Sequence, residues 1–197
     1  SAALGGIVGI FEMPNTNPLT TTPEALEHKI KRGTETAYTD FAYYFGGTFE
    51  NSKNLPLWEK LDGVCGIKIF MGASTGNLLS ATDEEVEAVV ANGNRVIAVH
   101  AEDEFVMNEN KKTILKDSND VGMHCKWRDV NSSLNATKRV VSLAKKHNRH
   151  VHVLHITTAE EMDYLRNHKD TATVEVLPNH LTCLLYTSDA ADEPLCV

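Results

Sequence analysis

Short apolar runs alternate with stretches of helical periodicity along most of the chain. Gly6 to Met13 (GIVGIFEM), Asp40 to Phe45 (DFAYYF), Val64 to Phe70 (VCGIKIF), Arg95 to His100 (RVIAVH), His150 to Ile156 (HVHVLHI) and Ala172 to Leu177 (ATVEVL) have strand length and few polar breaks. Such runs predict strands buried on both faces, as in a parallel sheet covered by helices. The intervening stretches carry helix-start signals. Thr22-Pro23 sets a capping hydroxyl ahead of a proline at the first helical position, and that helix should reach about Thr36. Thr82-x-x-Glu85 and Thr158-x-x-Glu161 read as capping boxes, opening helices to about Ala91 and Asn167. Further helices are expected near Leu57 to Leu61, Glu104 to Leu115 and Ser132 to His147, with an irregular polar segment before Asp129. Pro14 to Pro18 and Gly72 to Gly76 read as loops.

This alternation predicts an α/β fold with right-handed crossovers, either a doubly wound sheet or a (β/α)8 barrel. No G-x-G-x-x-G follows the first strand, so a dinucleotide site has no support. Six strands cannot close an eight-stranded barrel, but part of one would show this pattern. The chain opens without Met, directly on an apolar segment, as an internal fragment would. Residues 1–183 are expected to form one partial-barrel domain. Residues 184–197 (LLYTSDAADEPLCV) break the pattern and resemble translated sequencing-adapter read-through, so a non-native tail is expected there.

Composition narrows the partners. The 197 residues carry a formal net charge of -8 with no basic stripe, which argues against nucleic acid. No apolar run approaches the roughly 18 residues that would span a bilayer, which argues against a membrane. Cys65, Cys125, Cys183 and Cys196 form no C-x-x-C pair, and a reducing cytoplasm is the expected compartment.

In parallel α/β folds chemistry collects at the carboxyl ends of the strands. Lys68 sits near the end of the third strand, in an otherwise apolar run. A charged ammonium there costs enough to force deprotonation or a counter-charge. His100 ends the fourth strand and His155 lies at the end of the fifth. Each has an ordinary structural reading, as a hydrogen-bonded histidine or a lysine reaching water. Together they would converge on one barrel mouth, where neutral imidazoles bind zinc. A buried amine of lowered pKa can also add carbon dioxide and become an anionic carbamate. His150-Val151-His152 is a tempting H-x-H. His150, however, lies five residues before His155, roughly 16 Å away at about 3.3 Å per residue, so it is expected at the amino end of its strand and the pair is not expected to bind the functional metal.

The blocks Glu12 to Pro18 (EMPNTNP), Gly66 to Gly76 (GIKIFMGASTG), Val99 to Asp103 (VHAED) and Leu154 to Glu161 (LHITTAEE) resemble bacterial dihydroorotases of the amidohydrolase superfamily, from about Ala2 to Leu181. The resemblance implies a partial metal-dependent TIM barrel holding barrel strands two to seven. It implies two zinc ions per whole chain, with Lys68 bridging as a carbamate made with CO2, His100 and His155 as further ligands, and Asn15 contacting the substrate carboxylate. The implied activity is reversible cyclisation of N-carbamoyl-L-aspartate to L-dihydroorotate, through water activated by zinc, in pyrimidine biosynthesis. Allantoinase, hydantoinase or dihydropyrimidinase activity, or a catalytically inactive structural homologue, are the alternatives. The family's H-x-H and its acid/base aspartate find no counterpart here, so no catalytic acid/base is assigned and the chain alone is expected to be inactive. Asn179 and His180 receive no role. A small-molecule substrate is implied, and a homodimer is left open.

Overall fold

The computed structural model describes residues 2–72, 76–115 and 120–182. The expected non-native tail, Cys183 and Cys196 lie outside the described residues. Six strands form one all-parallel sheet in sequence order: β1 Gly9–Glu12, β2 Asp40–Gly46, β3 Val64–Phe70, β4 Ile97–His100, β5 Val151–Val153 and β6 Ala172–Val174. Each strand pairs with the one before it. A doubly wound sheet would reverse direction at a switch point. The simple order is that of a curled barrel wall, which resolves the alternative left open by the sequence.

The helices are α1 Pro23–Thr36, α2 Leu55–Trp58, α3 Asp83–Val90, α4 Glu104–Ile114, α5 His124–Trp127, α6 Val130–Lys146, α7 Ala159–Arg166 and α8 Pro178–Thr182. The Thr22 hydroxyl accepts the Ala25 N–H at 3.4 Å, and Thr82 with Glu85 forms a complete capping box. The second expected box is only half formed. Thr158 caps α7, but the buried Glu161 carboxylate accepts the hydroxyls of Thr137 at 2.7 Å and Thr158 at 2.8 Å instead of the Thr158 N–H. Tying α7 to α6 satisfies that buried carboxylate better than a second cap bond. Asp103 and Asp129 cap α4 and α6, so α6 begins two residues before the expected Ser132. The segment before Asp129 is not wholly irregular, because α5 lies in it, and α8 was not expected from the pattern.

Side chains alternate between the two faces of a strand. On one face Phe45, Ile67, Ile69, Ile97, Val99, Val151 and Val153 pack on Leu26, Leu55, Val86, Val89, Ala136, Val140 and Leu165 of the helices. Burying each such aliphatic side chain contributes roughly 1.5–3 kcal/mol. The register places Gly46, Lys68, Ala98, His152 and Thr173 in one row on the opposite face, with Phe70 and His100 one step closer to the carboxyl rim. β1 departs from expectation. Among the described residues it is an edge strand paired with β2 alone, and Phe11 is 67% exposed. No helix among the described residues is long and apolar enough to cross a membrane.

Candidate functional site

Because all six strands run parallel, their carboxyl ends share one rim. Lys68 is buried there at 2% exposure. Its Nζ donates to the Ile69 carbonyl at 2.9 Å and lies 4.0 Å from the centre of the Phe70 ring. Burial pushes its pKa well below the usual lysine range, and the charge of Glu175 offsets this only in part. Burial thus favours the neutral amine over the ammonium ion.

His100 closes β4, and its ring meets the His155 ring edge-on with centroids 4.9 Å apart. His100 Nδ1 lies 3.0 Å from His155 Nε2. Two nitrogens sharing one tetrahedral zinc at 2.0–2.1 Å would lie about 3.3 Å apart, so this spacing fits a common metal. The fit extends to the other nitrogen. His100 Nε2 is buried 2.9 Å from Glu102 Oε2. Glu102 therefore acts on it electrostatically. Burial opposes ionisation of Glu102, but contacts from Arg128 and then His100 overcome it and hold the carboxyl at about 2. Arg128 grips that carboxylate through both Nε and Nη2.

His155 follows β5 with φ at 40°, a left-handed conformation that costs a non-glycine residue about 1–3 kcal/mol. Glu175 Oε2 accepts its backbone N–H at 2.9 Å. Burial, then His100 and Lys68, lower the His155 pKa to about 4. In the metal-free protein the stability contributed by this imidazole is full above pH 6.5. It declines as pH falls toward about 4, because the unfolded ring takes up a proton that the folded ring refuses. Urea midpoints across that window should fall more steeply for wild type than for His155→Asn; equal slopes would reject the assignment.

Lys68, His100 and His155 thus meet at one rim. Asn15 sits exposed in the loop after β1, on the same rim but separated from β3 by β2. The H-x-H pair divides. His150 precedes β5 and is exposed, as expected. His152 is not at the far end; it shares Lys68's row, about 10 Å away across two strand spacings, and bonds Thr173 Oγ1 at 2.8 Å. His180 Nδ1 accepts the Leu177 N–H at 3.3 Å, a local bond within its own turn. Among the described residues no group of three or more His, Cys, Asp or Glu is gathered for a metal. A cleft of about 610 Å³ lies elsewhere, between α1 and the β1 edge, lined by Ile10, Glu12, Lys29 and Tyr43. Sequence reasoning missed Glu102 and Glu175. Glu175 carried a usable signal, a carboxylate inside an apolar run, which is the argument that singled out Lys68.

No family model matches the chain. It is 31% identical over 193 residues to a dihydroorotase of Methanosarcina acetivorans, a match covering 92% of this chain and 41% of that protein. The chain is thus similar to dihydroorotases over part of their length. It is also 32% identical over 172 residues to an L-hydantoinase of Paenarthrobacter aurescens, covering 84% of this chain and 37% of that protein. An L-hydantoinase (dihydropyrimidinase) structure from Arthrobacter aurescens superimposes with a TM-score of 0.85 at 28% identity, over 96% of this chain and 43% of that one. The chain spans about two fifths of the length of the curated relatives it matches, and its sheet corresponds to part of the (β/α)8 barrel of the L-hydantoinase structure.

Proposed function

We propose that the chain contributes one side of the metal centre of a cytoplasmic dihydroorotase. The whole protein would interconvert N-carbamoyl-L-aspartate and L-dihydroorotate in pyrimidine synthesis. The observation that carries this reading is the approach of His100 Nδ1 to His155 Nε2 at 3.0 Å beside the buried Lys68. Lys68 Nζ, as the free amine that burial favours, would add to carbon dioxide, forming an N–C bond and releasing a proton, so that a buried amine becomes an anion. His100 and His155 would offer neutral lone pairs at Nδ1 and Nε2, and the depressed pKa of His155 keeps it neutral at physiological pH. These three groups would hold zinc, whose Lewis acidity makes water a usable nucleophile near neutral pH. Phe70 covers the Lys68 amine and keeps water from it. Asn15, in the loop after β1, would bind the substrate carboxylate.

The L-hydantoinase likeness favours a second reading, hydrolysis of hydantoins. The Pro14-Asn15-Thr16-Asn17-Pro18 loop favours the first. Turnover of dihydroorotate, allantoin and hydantoins by the intact protein separates them. Dihydroorotate is expected to give the highest kcat/KM, by at least about tenfold, a difference of 1.4 kcal/mol in transition-state binding. A preference for hydantoin of that size would transfer the proposal to the second reading.

A further inference from the structure

We propose that Glu175 is a positioning residue that turns His155 from the helix-packed face of the sheet to the metal side; the metal part of this statement rests on the reading above. Strict alternation would put residue 155 on the same face as Val151 and Val153, which belong to the core packed on the helices. Its ring instead meets His100, on the opposite face. The phase of the strand shifts at this point, because Ile156 joins that core with Val151 and Val153 whereas Leu154 does not. The shift coincides with the left-handed backbone of His155.

Glu175 clamps the segment at three places. Its N–H donates to the Val153 carbonyl at 3.0 Å, its carbonyl accepts the Ile156 N–H at 3.1 Å, and its Oε2 accepts the His155 N–H at 2.9 Å. The two backbone bonds survive any substitution. The third belongs to the side chain and satisfies the one amide that the turn removes from regular pairing. Through that bond Glu175 acts on the site by way of His155.

The test compares Glu175→Met, which keeps length but removes the acceptor, with Glu175→Gln, which keeps an acceptor oxygen. Zinc affinity of the intact, folded protein is measured by chelator competition, alongside crystal structures of both variants. The Met variant is expected to bind zinc about 10–100-fold more weakly, as for other groups that orient a metal ligand. The Gln variant should stay within about threefold of wild type, with its amide oxygen on the His155 N–H. Wild-type affinity in the Met variant, or a Gln variant as weak as the Met one, would overturn the proposal. So would a Gln structure whose amide is turned away while His155 is unmoved. If folded wild type takes up no zinc, the metal reading fails by itself. The Met structure then decides the positioning role: a ring displaced from His100 supports it, and an unmoved ring overturns it.

Discussion

Lys68→Met in the intact protein is expected to make the fold more stable and the enzyme nearly inert. Methionine matches the length of the lysine stem and carries no ionisable group, so it fills the space against Phe70 without a cavity. In the metal-free wild type, the unfolded lysine is protonated up to about pH 10.5, while burial lowers the pKa of the folded one and makes it release its proton more readily. The unfolded state therefore binds the extra proton, and wild-type stability rises with pH through the range below 10.5. The Met variant lacks that slope. Urea midpoints should show it more stable than metal-free wild type near neutral pH, with the gap narrowing as pH approaches 10.5. Activity should move the other way. Without the amine no carbamate forms, and metal-derived stabilisation of several kcal/mol is lost, a fall on the order of 10³ or more in kcat. Metal analysis should find fewer than two zinc ions per chain. Lys68→Glu, which supplies a carboxylate directly, should retain more metal than Lys68→Met. A Met variant with full activity would remove Lys68 from the site.

Lys68 was legible in the sequence because its anomaly is local: one cation in an apolar run of seven residues. The strands and caps were legible for the same reason, since Thr22-Pro23 and Thr82-x-x-Glu85 act within one helical turn. What escaped depends on pairing between distant segments. Glu161 looked like the second half of a capping box, but Thr137, on another helix, claims its carboxylate. β1 looked buried because its residues are apolar, yet burial depends on what lies on its open side. Nothing in the sequence gives the row of His152, which its pairing with Ala98 fixes. The role of Glu175 follows from a turn at residue 155 that no period-two pattern announces. The strand order, which pairing alone reveals, separates the curled barrel wall from a doubly wound sheet.

The largest loss of stability is expected from Glu59→Ala, at the rim opposite the histidines. Glu59 is 2% exposed and receives the N–H groups of Asn94 at 2.7 Å and Arg95 at 3.0 Å, just ahead of β4. Arg149, just ahead of β5 and 6% exposed, approaches the same carboxylate at 3.5 Å. It also donates to the carbonyls of Asn92 at 2.8 Å and Arg95 at 3.0 Å. One carboxylate thus fixes the entry to two adjacent strands and neutralises a buried guanidinium. The packing around it is tight: a Cβ at Gly93, whose φ is 90°, would collide with the Glu59 carboxylate. Alanine would strand the Arg149 charge and leave two backbone N–H groups without partners, a cost of about 3–5 kcal/mol. Glu59→Gln should cost less, because one oxygen still accepts while the amide NH2 opposes the second donor. Urea unfolding at unchanged m-value reads both. Conserved function at the opposite rim is the control: the folded fraction of the Ala variant should bind zinc with wild-type affinity. A midpoint shift worth less than about 1 kcal/mol would show that water replaces the carboxylate and that this network does not hold the strands.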